Sequence, residues 1–114
     1  MTTASNNTYV YVGAEASGLY RLSPSSSRWE ELTIGLPANP IVPGIAIHPD
    51  NPEVVYVGTQ DGPYRSTDRG GHWERLDYPS SWAPAGTFLF RPGAPKVMYL
   101  ATAPGGVYRS LESG

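Results

Sequence analysis

Residues 48 to 76, HPDNPEVVYVGTQDGPYRSTDRGGHWERL, hold two short runs rich in β-branched and aromatic residues, Val54–Thr59 and Gly62–Ser66, separated only by Gln60 and Asp61. Such runs, bounded by Gly, Pro, Asn and Asp, read as antiparallel strands joined by a tight turn. The stretch is not unique in the chain. Gly62-Pro63-Tyr64-Arg65 has Gly18-Leu19-Tyr20-Arg21 44 positions before it and Gly106-Val107-Tyr108-Arg109 44 positions after it. Trp29 and Trp73 are again 44 apart, as are Leu32 and Leu76. Tyr9–Gly13, Val54–Gly58 and Lys96–Leu100 recur at nearly the same offset, and Ala46-Ile47-His48-Pro49 corresponds to Leu89-Phe90-Arg91-Pro92. Internal repetition is therefore the first property the fold has to explain.

Each unit reads as four strands, which in the central unit are Pro43–Ile47, Val54–Thr59, Gly62–Ser66 and Trp73–Asp77. No segment places apolar residues at i, i+3, i+4 and i+7, so helix finds no support, whereas apolar and polar residues alternate in nearly every run. A four-stranded unit repeating every 44 residues predicts an all-β chain of β-propeller blades, because each small sheet must bury both faces against neighbours set around an axis. Leucine-rich solenoids have shorter periods and rank below this. The phase of the repeat predicts one partial domain over residues 1–114. Blade one spans 8–33 and lacks its inner strand, because MTTASNNT at 1–8 is polar; blade two, 43–77, is complete; blade three, 86–114, lacks its outer strand. On this phasing the chain is about two and a half to three blades from a propeller of about six to eight. It is expected to be an amino-terminal fragment of that propeller, with a ring closed by copies of a short chain as the rival.

Composition narrows the function classes. Eight Lys and Arg stand against ten Asp and Glu, a net charge of -2, which removes the basic footprint of a nucleic-acid binder or a polybasic membrane patch. The absence of cysteine excludes disulfides, thiolate metal sites and a thiol nucleophile. The start, MTTASNNTYVYVG, lacks the basic and apolar regions of a signal peptide, and no run approaches the roughly 18 apolar residues of a membrane span. A soluble, cytoplasmic protein with neither nucleic acid nor membrane as partner, and with no cofactor, is expected.

Ser66-Thr67-Asp68-Arg69-Gly70-Gly71-His72-Trp73 fits the pattern S-x-D-x-G-x-x-W. With its flanking strands it resembles the Asp-box repeats, also called bacterial neuraminidase repeats (BNR). These form blades of sialidases, sortilin-type receptors, xyloglucan-degrading glycoside hydrolases and photosystem II assembly factors, and share the radial architecture of WD40/YVTN-like repeats. The resemblance is full only in the central unit. The first has Leu22, Pro24 and Ser26 at the box positions and keeps Trp29, and the third has Ser110, Glu112 and Gly114. Physically, an Asp carboxylate in a tight hairpin accepts hydrogen bonds from the N–H groups of its own turn, while Gly permits positive φ. Ser66, Asp68, Gly70 and Trp73 are accordingly expected to be structural, with Trp73 buried between blades and Asp68 not a catalytic acid.

In an antiparallel blade the turns joining strands two to three, and the connections Thr33–Pro43 and Asp77–Gly86 from strand four to the next blade, lie on the rim opposite the Asp-box. Residues there that do not repeat, Glu15, Gln60, Asp61 and Trp82, are the candidates for ligand contact, since repeated positions are explained by blade geometry alone. Trp82 could stack on a sugar ring, and Asp61 or Glu15 could serve as general acid or base. Arg21, Arg65 and Arg109 resemble the carboxylate-holding arginines of sialidases, but their repetition spreads them over three blades, with stems expected to cover aromatic surface. Arg91, opposite His48 on the Asp-box rim, lacks the rest of the sialidase motif. His48 and His72 have no second ligand at metal spacing and are expected to be solvated turn residues. The leading expectation is a non-catalytic propeller module binding a protein or glycan; the alternative is a glycoside hydrolase, sialidase- or xyloglucanase-like, completed by other blades. A homo-oligomer follows if the chain closes a ring.

Overall fold

In the computed structural model, residues 2–5, 9–14, 18–25, 27–76, 85–91, 93–102 and 106–110 are described. They contain eleven strands and no helix. The first sheet is β1 (Thr2–Ser5), β2 (Val10–Gly13), β3 (Leu19–Leu22) and β4 (Glu30–Glu31), in that order. The second is β5 (Gly44–Ile47), β6 (Val55–Thr59), β7 (Gly62–Ser66) and β8 (Glu74–Arg75), and the third runs β9 (Ala85–Arg91), β10 (Ala94–Thr102), β11 (Gly106–Ser110). Every pairing is antiparallel and sequential. The inner strands β1, β5 and β9 adjoin in that order, so the sheets stand side by side as consecutive blades. The chain is an all-β propeller fragment.

The register repeats as closely as the sequence does. Tyr11 pairs with Arg21, Tyr56 with Arg65 and Tyr99 with Arg109, and each arginine follows Gly18, Gly62 or Gly106 by three positions. Because successive side chains alternate between faces, each sheet turns one set of residues toward the preceding blade and the other toward the following one. Val55 and Val57 join Tyr11, Leu19, Leu32 and Trp73 in the core between the first two blades. Tyr56, one residue out of phase, joins Leu76, Phe88, Met98 and Leu100 in the core between the second and third. All of these side chains are buried.

Three expectations are corrected. Blade one does not lack its inner strand: Thr2–Ser5 pairs with Val10–Gly13 from Thr2↔Gly13 to Ser5↔Val10. The polarity of the segment was a poor guide because this ladder is made by backbone groups, and β-branched Thr suits it. Blade three has longer strands than expected, with β10 starting at Ala94 and the register shifting twice along it. The hairpin there is tight, pairing Ala94 with Arg91 around Gly93 at φ 79°. His48 is half-buried, its ring edge-on to Phe90 at 5.1 Å while its Nδ1 accepts the Asp50 N–H at 3.1 Å, so it belongs to the joint between blades.

Candidate functional site

The turn between β7 and β8 is built by two side chains. Ser66 Oγ donates to Asp68 Oδ1 at 2.7 Å and accepts the N–H of Gly70 at 2.8 Å. Asp68 Oδ1 also accepts the His72 N–H at 3.0 Å, and the Asp68 carbonyl accepts the Gly71 N–H at 3.2 Å. The Ser66 hydroxyl, and then the His72 N–H, hold the Asp68 carboxyl below its ordinary range against the opposing effect of burial. An acid so lowered is ionised at neutral pH and committed to its own loop, an arrangement suited to fixing a turn and unsuited to donating a proton.

This turn is also one side of a joint. Gly70 has φ 91°, which favours glycine, and a Cβ there would stand 2.7 Å from Leu32 Cδ1 of the first blade, so that side chain would have to shift. The carbonyl of Arg69, itself at φ 57°, accepts Arg21 Nη1 at 2.6 Å and the Tyr11 hydroxyl at 3.4 Å. Arg21 Nη2 donates to Glu30 at 3.2 Å, and the Arg21 and Arg69 guanidinium groups lie over the Tyr9 ring at 5.9 and 5.0 Å. Arg21, on the third strand of blade one, thus holds the turn of blade two, with its guanidinium group over the Tyr9 ring. Burial pushes the Tyr11 hydroxyl up to about 12, against the pull of Arg21 and Arg69. Trp73 is 1% exposed, and its backbone N–H donates to the Ile34 carbonyl at 2.8 Å, pinning the loop that leaves blade one. Beside the clamp, an open cleft of about 180 Å³ lies between Arg21, Glu30, Ile34 and Gly70.

On the opposite rim, Gln60 and Asp61 form the turn between β6 and β7. Gln60 Oε1 accepts the Ile41 N–H at 2.8 Å and its Nε2 donates to the Asn39 carbonyl at 3.3 Å, so it latches the connection between blades one and two. Asp61 Oδ2 accepts the Tyr64 hydroxyl at 2.9 Å and lies 4.0 Å from Arg75 Nε, which donates to the Asp61 carbonyl at 3.0 Å. Burial and this carboxylate both raise the Tyr64 hydroxyl above its ordinary value. Thr59, fully buried, donates its hydroxyl to the Gly62 carbonyl at 2.8 Å and accepts the Asp61 N–H at 3.0 Å. Gln60 and Asp61 therefore brace the rim as well as lining it. Glu15 and Trp82 lie outside the described residues. The sequence did not single out Ile41, 51% exposed and held up by the Gln60 latch. An apolar residue in a proline-flanked loop carries no repeat signal that would have found it.

No protein-family model and no curated protein sequence matches the chain. Among solved structures, an ancestral GH74 enzyme is similar at a TM-score of 0.82 and 22% identity, over 97% of this chain and 16% of that one. The GH74 xyloglucanase from Xanthomonas campestris is similar at a TM-score of 0.70 and 22% identity, over 98% of this chain and 20% of that one. YCF48 bound to D1 peptide is similar at a TM-score of 0.74 and 16% identity, over 100% of this chain and 38% of that one. At these identities the likeness establishes the β-propeller fold alone, and the chain spans less than two fifths of the length of each of these proteins.

Proposed function

We propose that the chain is a non-catalytic Asp-box propeller module, working in the cytoplasm, that offers the rim carrying Gln60 and Asp61 to a protein or glycan ligand. The observation that carries this reading is the Gln60 latch. Its side-chain amide bonds both the Asn39 carbonyl and the Ile41 N–H, tying the loop that carries the exposed, β-branched Ile41 to the turn that carries Asp61, 4.0 Å from Arg75. A contact surface ordered before the ligand arrives loses less entropy on binding. Asp61, engaged by Tyr64 and Arg75, is placed to position that surface and not to shuttle protons. Ser66, Asp68, Gly70 and Trp73 serve the architecture, and Glu15 and Trp82 extend the rim in this reading. That YCF48 is seen with a peptide makes an extended peptide the first ligand class to test.

Binding without turnover is the expected result. Peptide libraries and glycan arrays probed with the purified chain should yield a ligand whose affinity falls about tenfold in Gln60→Ala, as removal of a preorganising contact worth ~1.4 kcal/mol would do. A second reading is favoured by the likeness to GH74 enzymes: a glycoside hydrolase whose acid and base lie partly on other blades. Hydrolysis of xyloglucan or a sialoside by the purified protein, abolished by Asp61→Ala or Glu15→Ala, would establish that reading and overturn the first.

A further inference from the structure

The turn between β6 and β7 and the strand beside it carry residues that the repeat does not explain. Gln60, Asp61 and Arg75 have Ala16, Ser17 and Glu31 44 positions before them, and Gln60 and Asp61 have Pro104 and Gly105 44 positions after, whereas Tyr64 recurs as Tyr20 and Tyr108. Blade one builds the same ladder without this polar set, Tyr20 pairing with Glu31 where Tyr64 pairs with Arg75, so blade geometry does not call for it. The bonds within the set use only part of what its atoms can make. Arg75 Nε donates to the Asp61 carbonyl at 3.0 Å, and Asp61 Oδ2 accepts the Tyr64 hydroxyl at 2.9 Å. Arg75 Nη1 and Nη2 and Asp61 Oδ1 bond to no described residue, and the two side chains are 37% and 58% exposed. An exposed, half-spent pair is thus held in place by the bonds it does make.

We propose that this pair receives the main chain of an extended, uncharged peptide segment, Arg75 donating to a peptide carbonyl and Asp61 accepting a peptide N–H, with an apolar side chain of the ligand on Ile41. The inference rests on the reading of this rim as a ligand surface and narrows it. The two charges decide the class. Asp61 Oδ2 stands 4.0 Å from Arg75 Nε, so an anion drawn to the guanidinium meets the carboxylate, and a cation drawn to the carboxylate meets the guanidinium. A peptide group carries one donor, one acceptor and no net charge, which matches what the pair has unspent. Gln60, the neighbour of Asp61, bonds the Ile41 N–H at 2.8 Å, so the apolar contact is tied to the same turn. Ile41 is 51% exposed, while Tyr64, the aromatic ring of the set, is 6% exposed. An aliphatic contact without an open aromatic face suits a peptide side chain better than the face of a sugar ring. Side chains of an extended segment alternate, so one reaches Ile41 while its neighbours point away, and main-chain bonds supply the rest.

The probe is the uncharged peptide Ser-Val-Ser-Val-Ser, acetylated and amidated at its ends, titrated into the purified chain and followed by NMR at the Ile41 δ-methyl and the Arg75 side-chain N–H signals. Saturable shifts at both are expected. Arg75→Met, and N-methylation of the probe, which removes its N–H donors, should each weaken binding about tenfold or more. Raising the salt from about 0.05 to about 0.5 M should leave the affinity within about twofold, since a neutral ligand has no charge to screen. Thr67→Ala, exposed in the turn on the opposite rim, should change nothing. An absence of shifts at Ile41 and Arg75, an N-methylated probe that binds as well, or an affinity that collapses with salt would each overturn the proposal. An acidic peptide or a xyloglucan oligosaccharide that shifts these signals where the neutral probe does not would also overturn it, while leaving the rim a ligand surface. Silence of the rim toward all of these probes would remove that broader reading too. Circular dichroism checks the fold of Arg75→Met, and the N-methylation arm needs no variant.

Discussion

Trp29 and Trp73 occupy the same place in two successive repeats, yet one is 49% exposed and the other 1%. Each immediately precedes the outermost strand of its sheet, β4 or β8. Trp73 packs into the core it shares with the blade before it, and among the described residues no sheet covers Trp29. The difference teaches that in this architecture burial belongs to the neighbour, not to the residue: a blade supplies half of each joint and acquires its core only when the next blade arrives. The same contrast separates Val57 from Val12 and Pro63 from Val107, so sequence identity between repeats does not imply energetic equivalence.

The largest effect should come from the tryptophans themselves. Trp73→Ala removes a buried ring from the core between blades one and two and should cost about 3–5 kcal/mol in urea unfolding. Trp29→Ala, at a half-exposed ring, should lie within about 0.5 kcal/mol of wild type. Equal losses at the two positions would break the comparison. Arg21→Met tests the polar part of the joint: it keeps an unbranched stem but loses the guanidinium group with its bond to the Arg69 carbonyl and its place over Tyr9, for an expected cost of about 1.5–3 kcal/mol. A loss no larger than at an exposed arginine such as Arg28 would reduce the clamp to a bystander.

The smallest effect is one of pH and vanishes at neutrality. Burial raises the Tyr11 hydroxyl from 10.0 to about 12, so the folded chain keeps this proton more tightly than the unfolded one. Its contribution to stability is fully present below pH 10 and is lost as pH rises toward 12. Tyr56 and Tyr64 are raised in the same direction. Unfolding midpoints should therefore fall across this alkaline window, and less steeply in Tyr11→Phe.

Much of this was legible in the residues because the repeat carries it. The spacing of Gly18, Gly62 and Gly106 located the third strands, and the alternation of apolar with polar residues marked runs such as Val54–Thr59 as strands and not helix. The hydrogen bonds within Ser66–Trp73 follow from residue type, since Ser and Asp bond to nearby backbone N–H groups wherever the chain turns tightly. Contacts running between repeats were not legible. Nothing in Arg21 announces that it will reach the Arg69 carbonyl 48 positions on, and nothing in Gln60 announces a latch on Asn39 and Ile41. Thr2–Ser5 was missed for a related reason: an inner strand is specified by the ladder it completes, and its own composition says little.

That blades stabilise one another through the joint between Leu32 and Trp73 is tested most directly by a double-mutant cycle in urea unfolding. Leu32 belongs to blade one, Trp73 to blade two, and both line the position a Cβ on Gly70 would fill. The single variants Leu32→Ala and Trp73→Phe and their combination should show a coupling energy of about 0.5–3 kcal/mol, the range for residues sharing one packed site. Strict additivity of the two losses would mean that the blades fold as independent sheets, and the joint would not be what holds this chain together.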